Sequence, residues 1–237
     1  MNIDIKEVEK FSSYAQQWWD PKGPFAPLHA LNPPRLQFIQ QHTELKNKQV
    51  LDVGCGAGIL TESLYAQQAQ VTGIDASAKV LEVAMERAHV NSLTINYVNA
   101  SAESFLQQNP KQKFDIITCM ELIEHVPDPA QLMQTCAQLL KPNGKLFLST
   151  INRTTKAYLL AIIGAEYVLR LLPKNTHEYK KFIKPAELQQ FMSDAGLRLT
   201  ALSGMNYQPF TKRAELCTDS SINYLAYAVR EDDGNFI

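Results

Sequence analysis

The sequence predicts an α/β protein built on a mainly parallel seven-stranded sheet that closes with an antiparallel hairpin. Two observations carry that expectation. From Gln49 onward, short apolar runs at 50–53, 71–74, 95–98, 114–118 and 145–150 alternate with longer stretches of helical periodicity, the pattern of βαβ units whose parallel sheet is covered on both faces. Near the C-terminus, runs at 197–202 and 223–229 have no helical stretch between them, which calls for antiparallel pairing. A chain of 237 residues, 45% of them hydrophobic, can bury one sizeable core. No repeat, low-complexity tract or linker divides it, so a single domain over 1–237 is expected.

The first element is an amphipathic helix over 4–19, in which Ile5, Val8, Phe11, Ala15, Trp18 and Trp19 recur mostly three or four positions apart. It stops at Asp20-Pro21. The stretch to Pro34 holds Gly23, Pro24, Pro27 and Pro33 and reads as an ordered lid or arm over the surface. A second helix carrying Arg35 and Phe38 then completes an N-terminal helical arm spanning 1–46.

After the fifth strand, residues 153–184 form an insertion ahead of a helix at 185–195, and a connection of that length is usually functional or disordered. Its apolar run, 157–172, is interrupted by Glu166 and Arg170 and falls short of the roughly 20 residues of a membrane span. Seven basic residues, Lys180 and Lys181 among them, face only Glu166 and Glu178, a balance of +5. Each base near an anionic leaflet contributes about 1 kcal/mol, so the insertion reads as an interfacial, membrane-facing lid. A helix packed over the site or at a dimer interface is the alternative. The tail 231–237 is expected to fray.

Composition excludes several classes. With 23 basic and 24 acidic residues the net charge is −1, so no global field draws the chain to nucleic acid. Cys55, Cys119, Cys136 and Cys217 form no C-x-x-C pair, which argues against a zinc site or disulfide framework and for a reducing, cytoplasmic setting. The N-terminus lacks the basic start and apolar run of a secretory signal and reads as mature protein.

Gly54, Gly56 and Gly58 directly follow the first strand and open a helix near Ile59. Glycines suit such a turn because a Cβ would obstruct both its backbone conformations and the close approach of a ligand. Residue 59 is Ile, so the third glycine comes one position earlier than in the G-x-G-x-x-G of dinucleotide folds, which points away from NAD. Asp75 closes the second strand about twenty residues on, where an acid can accept hydrogen bonds from both hydroxyls of a ribose. A surface acid at a strand end is the plain alternative.

The fourth strand runs into Glu121-Leu122-Ile123-Glu124-His125-Val126-Pro127-Asp128-Pro129. Ligands of open α/β sheets bind beyond the carboxyl ends of the strands, so this segment shares a crevice with the glycine loop. As one helical turn it would put Glu121, Glu124 and His125 on one face. In the first of three readings, His125 is a general base with Glu121 among the carboxylates that orient it. In the second, Glu121, Glu124 and His125 hold Mg²⁺ against both oxygens of a catechol. In the third, the segment is a structural turn with Asp128 capping the next helix. For a phenol of pKa about 10, ionisation at pH 7 costs roughly 4 kcal/mol, which a base or a metal can lower.

The stretch from Leu51 to Gly58, with Asp75, resembles the class I, Rossmann-like methyltransferases over residues 48–150. By that resemblance Asp52, Gly54, Gly56 and Gly58 belong to a loop that cradles S-adenosylmethionine, Asp75 binds its ribose, and Ser101 and Ala102 lie by the adenine, where members of the family often carry Asp. Trp18-Trp19-Asp20, Phe25-Ala26-Pro27-Leu28-His29, Asn152-Arg153, Gly164-Ala165-Glu166-Tyr167 and Lys180-Lys181-Phe182-Ile183-Lys184-Pro185 extend the likeness to nearly the whole chain. Together they resemble the O-methyltransferases of ubiquinone biosynthesis. That implies methylation of a polyprenylated catechol and of 3-demethylubiquinol, with Arg35 and Met120 joining Gly54 and Asp75 against the cofactor. It implies association with an anionic inner-membrane surface and with other quinone-pathway enzymes, and no nucleic acid. The open alternatives are another small acceptor, such as a carboxylate or carbon acid, or a non-catalytic scaffold that binds the cofactor or membrane.

Overall fold

The structure, a computed structural model of the chain, describes residues 2–159, 178–209 and 211–231. Five strands, β1 (Gln49–Val53), β2 (Gln70–Asp75), β3 (Asn96–Asn99), β4 (Phe114–Met120) and β5 (Leu140–Ile151), run parallel. Three more, β6 (Leu197–Gln208), β7 (Arg213–Cys217) and β8 (Asn223–Arg230), join antiparallel, giving one eight-stranded sheet in the order β3-β2-β1-β4-β5-β8-β6-β7. The expected parallel core and antiparallel close are both present.

Alternation along the strands sends side chains to two cores. Leu51, Ile117 and Leu148 face one, with Phe105 of α5 (Ala102–Gln108), Met133 of α6 (Pro129–Leu139) and Leu188 of α8 (Pro185–Asp194). Val50, Ile116 and Phe147 face the other, with Phe38 of α2 (Ala26–His42) and Leu64 of α3 (Ile59–Ala66). The remaining α-helices among the described residues are α1 (Ile5–Ser13), α4 (Ala78–Val90) and the single turn α7 (Thr155–Ala157). The chain leaves β1 toward β2 on one side and later fills β4 on the other. That reversal opens a crevice at the carboxyl ends of β1 and β4, where open α/β sheets bind ligands.

Three expectations are corrected. The first helix ends at Ser13, and Ala15–Gln17 form a separate 3₁₀ turn, so the two tryptophans lie beyond the helix that their spacing implied. The proline-rich stretch is no surface strap after Ala26: α2 contains Pro33 and Pro34, and burial of Pro34, Arg35, Phe38 and Ile39 outweighs the missing N–H groups. The sheet has eight strands rather than seven. β7 is a short polar edge strand with charged Arg213 and Glu215, a composition that blunts an edge and hides it from a search for apolar runs.

Most of the insertion, 160–177, lies outside the described residues, as does the tail from 232. Among the described residues no helix is long and apolar enough to cross a membrane. At the far end of the insertion the chain returns to the sheet through Ile183, whose N–H donates to the Ile151 carbonyl at 3.1 Å and whose own carbonyl accepts the Tyr224 hydroxyl at 3.0 Å. Tyr224 is fully buried. Tyr224→Phe leaves that carbonyl without its donor and should lower unfolding free energy by about 1–3 kcal/mol, read by chemical denaturation; a change below about 0.5 kcal/mol would show the tie to be dispensable.

Candidate active site

The first turn after β1 is held by backbone and carboxylates together. Gly54, Gly56 and Gly58 have φ of +70°, +54° and +85°, and the N–H groups of Gly54 and Cys55 donate to the Ile74 carbonyl at 2.9 and 3.0 Å. Beneath the loop, Asp52 accepts the hydroxyls of Thr61 at 2.6 Å and Thr118 at 2.7 Å, fastening β1 to α3 and to β4. Burial pushes its carboxyl up to about 6 against those two hydrogen bonds. Asp75 accepts the Gly56 N–H at 3.0 Å and the Ser77 N–H at 2.8 Å, and burial raises its pKa as well. The thiol of Cys55 is buried and raised far above its usual value, which makes it a filler rather than a nucleophile.

The arm folds down onto this loop. The Trp18 ring stacks on Phe25 at 4.3 Å between centroids and covers Gly56 so closely that a Cβ there would lie 2.4 Å from it. Trp19 donates its indole N–H to the Ala57 carbonyl at 2.9 Å, and Ser12 shares a 2.6 Å hydrogen bond with Ser77. Asn2 makes a two-way pair with the backbone of Asp128, giving a hydrogen bond to its carbonyl at 2.7 Å and receiving one from its N–H at 2.8 Å.

Between arm and sheet lies a cavity of about 440 Å³. Of the expected cofactor residues, Arg35, Asp52, Gly54, Asp75, Ser101, Ala102 and Met120 line it. Gly56 and Gly58 do not: one is the seat of Trp18, and the other opens α3 where a Cβ would meet the Tyr97 hydroxyl at 2.4 Å. Ser101 also caps α5 by accepting the Ser104 N–H at 3.1 Å. Two buried donors at the wall, Nε1 of Trp18 and Nε of Arg35, make no hydrogen bond. A ligand rich in acceptors, with a carboxylate and ribose hydroxyls, fits such a wall.

The set Glu121, Glu124 and His125 is not brought together, which corrects the metal reading. The helical turn covers only Ile123–His125, and Glu121 precedes it with φ of +47°, turned back to pair with Arg35 and to accept the Ser149 hydroxyl at 2.7 Å. Glu124 is buried away from the cavity lining, accepts the Thr150 hydroxyl at 2.8 Å, and is raised by burial. His125 faces the arm. Among the described residues no group of three His, Cys, Asp or Glu converges as a metal site, so the residues in these positions do not fit Mg²⁺. Asp128 caps α6, as the third reading held.

Sequence reasoning missed what the arm contributes. Asn2, Glu7, Phe11 and Phe25 all line the cavity, but an acid on the polar side of an amphipathic helix is indistinguishable from a solvated one until the helix is seen lying over the strand ends. Gly56→Ala should cost the strain of a left-handed alanine, about 1–2 kcal/mol, plus the seat of Trp18. The measurable outcome is a shift in tryptophan emission together with at least about tenfold weaker S-adenosylmethionine binding; unchanged affinity would detach the arm from ligand binding.

Residues 28–202 match the family described as methyltransferase domain. The chain is 51% identical over 230 residues to the ubiquinone biosynthesis O-methyltransferase of Coxiella burnetii strain RSA 331, with 97% of each chain covered. It is 53% identical to the protein of that name from Actinobacillus pleuropneumoniae serotype 5b, covering 95% of this chain and 98% of the relative. Among solved structures it shares its fold with magnesium protoporphyrin IX methyltransferase from Synechocystis with bound SAH, at a TM-score of 0.65 and 20% identity, covering 87% and 85% of the two chains. By full-length similarity and by fold, the chain belongs to the ubiquinone biosynthesis O-methyltransferase family of S-adenosylmethionine-dependent enzymes.

Proposed function

We propose that the chain methylates a hydroxyl of polyprenylated catechols and of 3-demethylubiquinol, with His125 as the general base. The observation that carries this reading is the cavity itself, in which Gly54 of the glycine loop and Asp75 share one space with His125 and with the apolar wall of the arm. S-adenosylmethionine supplies a methyl group on a sulfonium, which needs an in-line nucleophile rather than covalent help. Arg35 offers a guanidinium for a carboxylate. Asp75 keeps acceptor capacity beyond its two backbone donors for ribose hydroxyls. Phe11, Phe25 and Leu28 exclude water from the acceptor's ring and the start of its tail.

His125 would take the hydroxyl proton as the oxygen attacks, worth a factor of about 10²–10⁴. His125→Ala should therefore slow turnover on a prenylated catechol by about that factor while cofactor affinity stays near normal. Full activity of that variant would remove the base role, and no turnover on any catechol by the native chain would remove the substrate class. The assay is run with and without a chelator; a requirement for added Mg²⁺ would return Glu121, Glu124 and His125 to ligand roles.

A polyprenyl tail also calls for contact with a bilayer, and we propose that the basic end of the insertion supplies it at an anionic inner-membrane surface, beside other enzymes of the quinone pathway. Lys180 and Lys184 are exposed, whereas Lys181 is tied to Asp4 at 3.2 Å and is unsuited to the test. Neutralising Lys180 and Lys184 together should weaken binding to anionic vesicles by about tenfold or more at low salt and leave neutral vesicles unaffected. Unchanged binding would give the segment a packing role only.

A further inference from the structure

His125 and Glu7 lie 118 positions apart in the chain, yet Nδ1 of the imidazole is 2.9 Å from a carboxylate oxygen of Glu7. Both side chains are largely shielded, 11% and 15% exposed. Burial alone would raise the Glu7 carboxyl, but the hydrogen bond and charge of His125, with Lys10 behind them, hold it at about 2. At neutral pH it is a carboxylate, which can only accept, so Nδ1 is the donor and the contact sets the tautomer. Phe11, one turn further along α1, meets the imidazole at 90° with centroids 5.2 Å apart. Two residues of one helix thus fix the ring, one by its nitrogen and one by its face.

α1 is also the helix whose following turn seats Trp18 on Gly56, and its Ser12 bonds to Ser77 just past Asp75. The carboxylate is therefore held at His125 by the same arm that covers the cofactor loop. We propose that Glu7 is a positioning residue for methyl transfer, carried into place by the arm, where it orients His125 so that Nε2 takes the proton of the acceptor hydroxyl. This rests on the reading of His125 as base. In the step, the O–H bond breaks and its proton passes to Nε2 while the oxygen forms a bond to the methyl carbon. The carbon–sulfur bond breaks with its electron pair left on sulfur, and the new imidazolium lies against the Glu7 carboxylate. A mere latch would hold the arm down without affecting the chemical step.

Glu7→Gln in the full chain separates the two. The expected result is a kcat lower by about 10–100-fold on a short-chain prenyl catechol, with KM for S-adenosylmethionine within about threefold of native. Glu7→Asp should recover part of kcat. The loss should shrink on the corresponding nitrocatechol, which is already ionised at neutral pH and asks for no base. Combined with His125→Ala, Glu7→Gln should add nothing, because residues that act through one another are non-additive. A Glu7→Gln variant with native kcat beside an impaired His125→Ala overturns the positioning role and leaves the base reading intact. So does a loss confined to the cofactor KM. A fully active His125→Ala overturns both. Thermal melting of each variant is measured alongside, and if Glu7→Gln is unfolded at the assay temperature, Glu7→Asp carries the test through the same kcat-against-KM split.

Discussion

Trp18 rests on the bare Cα of Gly56, and that contact decides where the N-terminal arm can lie. With the ring in place, Phe25 stacks behind it, Trp19 reaches the Ala57 carbonyl, and α1 is brought across the carboxyl ends of β1 and β4. An alanine side chain at 56 would need the space the indole occupies. The glycine is thus required twice, for a left-handed backbone and for an aromatic neighbour, and only the first of these belongs to the loop itself.

Charge in the cavity is arranged around few cations. Asp52, Asp75, Glu121 and Glu7 all border it, and Arg35 is the buried positive partner, paired with Glu121. Burial raises Asp52 and Asp75, so their ionised forms are held at some cost by hydroxyls and backbone N–H groups. A bound sulfonium would offset that cost, since an added positive charge favours the ionised carboxylates.

Much of this was legible in the residues because burial writes itself as apolar runs. β1, β2, β4 and β5 each carry a short buried run bounded by polar or turn residues, and the glycine loop and Asp75 stood at fixed offsets from those runs. β7 escaped because an edge strand has one wet side, and α2 because packing of Pro34 and Phe38 overrode the local preference against proline. At the site, motif spacing located the groups that follow strands directly. It misjudged Glu121, whose left-handed backbone turns it toward Arg35, and it could not see Glu7, since a partner 118 positions away leaves no periodic trace.

The arm's anchors have a consequence for how the molecule comes into being. Asn2 is held by Asp128, and Asp4 by Lys181, 177 positions later. The segment carrying Asn2 and α1 therefore has no surface to dock on until residues as distant as Asp128 and Lys181 are in place. Its amphipathic helix must wait exposed, or transiently covered, while the sheet assembles. The arm's wall of the cavity therefore exists only once residues far apart in the chain have met.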